Sequence, residues 1–187
     1  MGVTDIKYIV SDERIVRALL KDDYIRPSLT NLKGKRNLIG VEIGVQLGVN
    51  AYSILTNYDI KTLYLIDPYT SYKQTDNDKE EVDDVEAEMI RLKAVEFLSP
   101  FSDKIVWIRE PSQKAGKYLP FDLDFAYIDG YHVWDVLRDD IDMCYHRIKK
   151  GGLLAGHDVN KEVVREVVMA LLGPSVKMRK RDWWMIK

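Results

Sequence analysis

The stretch Glu42-Ile43-Gly44-Val45-Gln46-Leu47-Gly48 sets an acid and two glycines between an apolar run and a helical period. Glycines at such a turn let backbone approach a ligand closely, and the following helix offers N–H groups that lack an intrahelical partner. A dinucleotide fingerprint reads G-x-G-x-x-G, with pyrophosphate on the helix end. This chain has G-x-x-x-G instead, with Glu42 two residues before the first glycine. A carboxylate there repels pyrophosphate but can hydrogen-bond a cationic or hydroxyl-rich ligand. A second acid, Asp67, closes the next apolar run, the position from which doubly wound sheets reach the ribose of an adenosine ligand. Together the two acids favour an adenosine that carries no phosphates.

Such residues need rigid supports, and the chain supplies them in alternation. Short apolar runs occupy residues 38–43, 63–66, 105–108, 125–128 and 153–155, the last after Gly151-Gly152. A helix is expected from the glycine turn through Tyr58. Further along, Val85, Met89 and Leu92 share one helical face, and Leu137, Ile141, Tyr145 and Ile148 share another. Val163, Val164, Val167, Val168 and Leu171 form a third, which Gly173-Pro174 should end. Short apolar strands alternating with helices predict a parallel sheet covered on both faces. Ser11-Asp12-Glu13 reads as the start of a short amphipathic helix with Ile15, Val16, Leu19 and Leu20, followed by a connecting loop over 22–36. Residues 176–186 carry no helix period and predict a terminal hairpin.

Length and composition bound the rest. A chain of 187 residues suits one domain. With 46% hydrophobic and 31% charged residues it is neither disordered nor collagen-like. Its 28 basic and 30 acidic residues give a net charge of −2, which argues against binding nucleic acid through bulk charge. The single cysteine, Cys144, cannot close an intrachain disulfide and suggests a reducing compartment. With no apolar run near the ~20 residues of a membrane span and a charge-studded N-terminus, a cytoplasmic protein is expected. Residues 76–88 hold eight acids and one lysine, which reads as a solvated helix start or as a lid over the strand ends.

The chain resembles the class I S-adenosylmethionine-dependent methyltransferases, first in the glycine turn and Asp67, then in two downstream motifs. DFAYIDGYH (residues 124–132) looks like their fourth strand, and KGGLLAGHD (150–158) like their fifth. The pairing of IDG-x-H with GG-x-x-x-GHD is similar to small O-methyltransferases acting on sugars, macrolides or catechols (the methyltransferase 24, macrocin and catechol types). The likeness implies a Rossmann-like doubly wound α/β sheet of order 3-2-1-4-5-7-6 with an antiparallel terminal strand. It divides residues 1–187 into an N-terminal helix and loop (1–36), a cofactor-binding core (37–160) and a C-terminal helix and hairpin (161–187).

The resemblance also implies residue roles. Glu42, Gly44, Val45, Gln46 and Gly48 line the amino-acid portion of S-adenosylmethionine. Asp67 takes the ribose hydroxyls, Glu110 and Ser112 lie at the adenine, and Asp129 stands beside the sulfonium. Gln46 replaces the middle glycine of many relatives.

Methyl transfer is an in-line displacement, so the protein orients a nucleophile and removes its proton. His132 is a candidate base, with a capping role as its alternative. Asp129, His157 and Asp158 close adjacent strands ~4.8 Å apart and could converge on a divalent cation. Carboxylates with waters suit Mg²⁺, and the imidazole of His157 admits Mn²⁺. Such an ion would lower the pKa of an acceptor hydroxyl, with His157 standing where catechol enzymes have an acid.

Trp183 and Trp184 must face opposite sides of their strand, so one can line a homodimer contact or the substrate mouth. The expected activity is methylation of a small molecule, at oxygen. Two rivals stand beside it: an inactive cofactor- or partner-binding module on the same fold, and an NAD-dependent oxidoreductase. The glycine spacing and Glu42 count against the latter.

Overall fold

The computed structural model describes residues 26–73 and 81–187. The helix expected from Ser11, and residues 76–80 of the acidic stretch, lie outside them. Five strands run parallel: β1 (Leu38–Ile43), β2 (Ile60–Ile66), β3 (Ile105–Ile108), β4 (Leu123–Ile128) and β5 (Ile148–Gly156). The terminal hairpin, β6 (Lys177–Arg179) and β7 (Asp182–Ile186), joins through an antiparallel β5–β7 pairing. The order is β3-β2-β1-β4-β5-β7-β6. This is the expected sheet, with β7 as its antiparallel strand.

Helices cover both faces. α1 (Val49–Asn57) and α2 (Asp84–Phe97) pack on one side with the 3₁₀ turn Ser28–Leu32. α4 (Trp134–Arg147) and α5 (Glu162–Leu172) pack on the other, with the single turn α3 (Ser112–Ala115). Alternation along β4 shows the two-sided core. Phe125 and Tyr127 enter the α1/α2 layer, while Ala126 and Ile128 enter the α4/α5 layer. Trp183 is buried on the α5 side and Trp184 packs on the other, as strand geometry requires. Cys144 is buried beside Ile141 and Ile148.

Three local expectations need correction. The apolar face expected for α2 is its outer one: Val85, Met89 and Leu92 are exposed, while Ala87, Ile90, Ala94 and Phe97 are buried. Both sets recur at helical spacing, so the period alone does not choose between them. The stretch 22–36 is not simply a connector, since Leu29 and Leu32 in its 3₁₀ turn are fully buried. The glycine pair 151–152 does not precede β5 but lies within it, at a register shift against β4.

The described acids of the 76–88 stretch behave as a helix start. Asp83 caps α2 through Glu86 N at 2.8 Å, with Asp84 and Glu86 in the first turn. A two-stranded ribbon, Tyr72–Lys73 with Glu81–Val82, precedes this helix.

Candidate active site

At the C-terminal edge the parallel ladder continues one residue beyond the strands and lines up four of the expected groups. Asp67 N donates to Ile108 O (3.2 Å), Gly44 N to Ile66 O (2.9 Å), Asp129 N to Ile43 O (2.8 Å) and His157 N to Ile128 O (3.0 Å). Parallel strands all point their carboxyl ends to this edge, the usual ligand crevice of such sheets.

The glycine turn rises from β1 with Gly44, Gln46 and Gly48 all at positive φ (83°, 49° and 77°). A Cβ on Gly44 would lie 2.1 Å from Asp129 O, so close approach to β4 requires glycine here. Val45 is buried and Gln46 is exposed. Asp67 braces the turn. Its Oδ2 accepts from Val45 N and Gln46 N, both at 3.0 Å, and its Oδ1 from Tyr69 N at 2.9 Å. Tyr69 completes the brace by donating its hydroxyl to Gln46 O at 2.9 Å. Burial pushes that phenol far above its usual range, so it remains a donor.

Glu42 is buried beneath the turn. Its Oε1 accepts from Asn50 Nδ2 of α1 at 3.3 Å, while Oε2 has no partner among the described residues. Burial pushes this carboxyl up to about 8. Glu110 is half-buried just past β3, and Ser112 is buried at the start of α3. Behind Ser112, burial pushes Asp140 up to about 7, against the lowering effect of the Ser112 hydroxyl.

Beyond β4 and β5 the side chains form one connected cluster. His157 Nδ1 lies 3.0 Å from Asp158 Oδ1 and 3.5 Å from Asp129 Oδ1. Burial opposes charge on this ring, but the two carboxylates outweigh it and push it up to about 9. Arg26 Nη1 approaches Nε2 at 2.5 Å, which needs a lone pair there. The carboxylates favour a charged ring and the Arg26 contact a neutral one, and both place a proton on Nδ1, assigned from these partners. Arg26 Nη2 stands 3.5 Å from Asp129 Oδ2.

His132 sits across the cluster. Its Nδ1 is 3.1 Å from Lys161 Nζ and its Nε2 is 3.6 Å from Asp158 Oδ2. Burial, and then Lys161, hold its pKa below the usual histidine range. Asp158, at φ +58°, also pairs with Arg181 and lies 3.8 Å from Lys161. Burial works against its charge, but His157, Arg181 and His132 hold it well below the usual carboxylate range.

Asp129, His132 and Asp158 bring ligand atoms within 4.8 Å of one another, so two expected metal ligands converge with His132. His157 also meets both acids, but its second nitrogen is taken by Arg26. The cations around the carboxylates decide the fit. A divalent ion would have to displace Arg181 and Lys161 from Asp158 and Arg26 from Asp129. Neither Mg²⁺ nor Mn²⁺ suits that charge pattern.

Sequence reasoning missed Arg26, Lys161, Arg181, Tyr69 and Asp182. Asp182 is buried and accepts from Ser28 N (3.1 Å), Ser28 Oγ (2.6 Å) and Tyr127 Oη (3.0 Å). Its one legible signal was an acid in the strand period of Trp184. Arg26 carried none.

A sheet of this order, with an acid and glycine turn after its first strand and acids after its second and fourth, has the Rossmann-like architecture of the S-adenosylmethionine-dependent methyltransferases. The chain belongs to a family of methyltransferase domains, whose pattern matches residues 41–159.

Solved structures share the fold at low identity. TrmN from Thermus thermophilus superposes with a TM-score of 0.59 at 12% identity, over 86% of this chain but 47% of that one. SMU.1697c from Streptococcus mutans, solved in complex with SAH, gives 0.57 at 13% identity, over 80% and 86%. CalS11, a TDP-rhamnose 3′-O-methyltransferase of calicheamicin biosynthesis, gives 0.59 at 12% identity, over 97% and 96%. No curated protein matches the sequence. No helix among the described residues is long and apolar enough to cross a membrane.

Proposed function

We propose that the chain methylates a hydroxyl oxygen of a small molecule, using S-adenosylmethionine and no metal. The observation that carries the reading is the braced glycine turn beside the Asp129–His132–Asp158 cluster on one sheet edge. Asp67 and Glu42 suit a ligand that brings hydroxyls and an ammonium group without phosphates. Glu42, whose Oε2 has no partner among the described residues, and the turn Gly44–Gly48 receive the amino-acid portion. Asp67 keeps lone pairs for the ribose after its three amide bonds. Glu110 and Ser112 face the adenine, and Asp129 the sulfonium.

S-adenosylmethionine supplies the methyl carbon, and the C–S bond pair leaves with sulfur as the acceptor oxygen attacks. His132 takes the hydroxyl proton at Nδ1 once Lys161 moves aside. Asp158 orients the ring through Nε2–H and stabilises the imidazolium that forms. His157, with its Nδ1–H between the two acids, holds Asp129 and Asp158 in register.

Incubation with S-adenosylmethionine and a panel of catechols and hydroxylated sugars, followed by mass spectrometry, tests the reading. A methylated product, lowered about 10²–10⁴-fold in turnover by His132→Ala, supports it. Tight S-adenosylmethionine binding with no turnover on any acceptor would favour an inactive binding module. CalS11 supports a sugar-type acceptor by likeness of fold alone.

A further inference from the structure

Two permanent cations at the edge of this site have an imidazole nitrogen as their nearest partner, with a carboxylate further off. Arg26 Nη1 lies 2.5 Å from the imidazole Nε2 of His157, while its carboxylate neighbour, Asp129, is at 3.5 Å. Lys161 Nζ lies 3.1 Å from the imidazole Nδ1 of His132, with Asp158 at 3.8 Å. Arg181, by contrast, holds Asp158 directly and Asn160 at 3.1 Å. Asp182, which accepts from Ser28 and Tyr127, adds favourable charge to Arg26 at longer range.

A cation gains more from a carboxylate or phosphate than from a neutral ring nitrogen, because the hydrogen bond is then charged on both sides. Arg26 and Lys161 thus stand at the two ends of one contact chain, Arg26–His157–Asp158–Lys161, each nearer to a ring nitrogen than to its carboxylate. Their side chains are 18% and 25% exposed, so a ligand in the crevice can reach both. Their placement is built rather than incidental. Ser28, two residues after Arg26, is pinned to buried Asp182, and Lys161 N donates to Asp158 O at 2.8 Å.

We infer that the acceptor carries an anionic group, a carboxylate or a phosphate, beside its reacting hydroxyl, and that Lys161 and Arg26 select it. The inference rests on the acceptor site proposed above. It also supplies what that mechanism lacks. In the free protein Lys161 occupies the Nδ1 lone pair of His132. An acceptor anion draws the ammonium away, and the vacated lone pair takes the proton of the neighbouring hydroxyl. Neutral acceptors draw Lys161 aside less readily, so they turn over more slowly than anionic ones.

Calorimetric titration of the full chain with phenyl phosphate, benzoate and phenol, with and without S-adenosylhomocysteine, tests this. At least one anion should bind about tenfold more tightly than phenol, and Lys161→Gln and Arg26→Gln should each remove about that factor. The two anions separate a phosphate site from a carboxylate site. Thermal melts check folding, and Lys161, half-exposed at the start of α5, keeps the test intact should Arg26→Gln unfold. Phenol binding as tightly as both anions, or anion binding unchanged in a folded variant, would overturn the inference. Failure of S-adenosylhomocysteine to bind would overturn the cofactor reading instead, and the cofactor-free titrations would still decide the anion site.

Discussion

Asp67 closes β2 and reaches back across the sheet edge to the amide of Gln46, whose N–H it accepts at 3.0 Å. The exposed middle residue of the glycine turn is thereby held in a left-handed conformation that glycine would enter more easily. Tyr69 grips the same residue through its carbonyl. The acid assigned to ribose is therefore also the acid that shapes the turn.

Asp67→Ala should remove three charge-assisted hydrogen bonds and leave the described core in place. S-adenosylmethionine affinity should fall about 10–100-fold, equivalent to ~1.5–3 kcal/mol, with a cooperative thermal transition retained. Calorimetry alongside a thermal melt checks both halves. Unchanged affinity in the folded variant would remove Asp67 from the cofactor site.

Gly44→Ala should be far more damaging than its one methyl suggests. Its φ of +83° disfavours any side chain, and the new Cβ would meet Asp129 O at 2.1 Å. Since backbone cannot step aside cheaply, the turn must leave β4. Destabilisation of about 1–3 kcal/mol and loss of cofactor binding are expected. A wild-type melting curve for Gly44→Ala would contradict that geometry.

Two buried acids make stability fall as pH rises. Glu42 is raised from 4.5 to about 8 and Asp140 from 3.8 to about 7, both chiefly by burial. Between the unfolded and folded values the native state binds more protons than the unfolded chain, so stability falls as pH rises. The loss should run from about pH 4 to pH 8 and reach a few kcal/mol, at ~1.4 kcal/mol per pKa unit. Denaturant titrations at pH 5 and pH 8 should show the decline, and Glu42→Gln or Asp140→Asn should flatten it. A wild-type stability that rises across the same interval would refute the buried-acid account.

Chelation separates the cation-ringed cluster from a metal site. Because Arg26, Lys161 and Arg181 already face Asp129 and Asp158, EDTA should leave methyl transfer unchanged, and added Mg²⁺ should not stimulate it. Loss of activity in EDTA, restored by Mg²⁺ or Mn²⁺, would show that the arginines and lysine withdraw for an ion.

The residue pattern alone determined the sheet edge. Apolar runs closed by Glu42 and its glycines, by Asp67, by Asp129 and by His157-Asp158 are local signals, and a parallel topology carries every strand's carboxyl end to the same side. Only the tertiary structure decided which charges meet there. Arg26 reaches His157 across 131 residues of chain, and Ser28 reaches Asp182 across 154. No spacing rule spans such intervals, because the pairing depends on where the N-terminal turn and the last strand dock. The same holds for α2, whose two apolar stripes have one helical period. Which stripe is buried was settled by the layer on which the helix packs, a property of the tertiary structure and not of the local sequence.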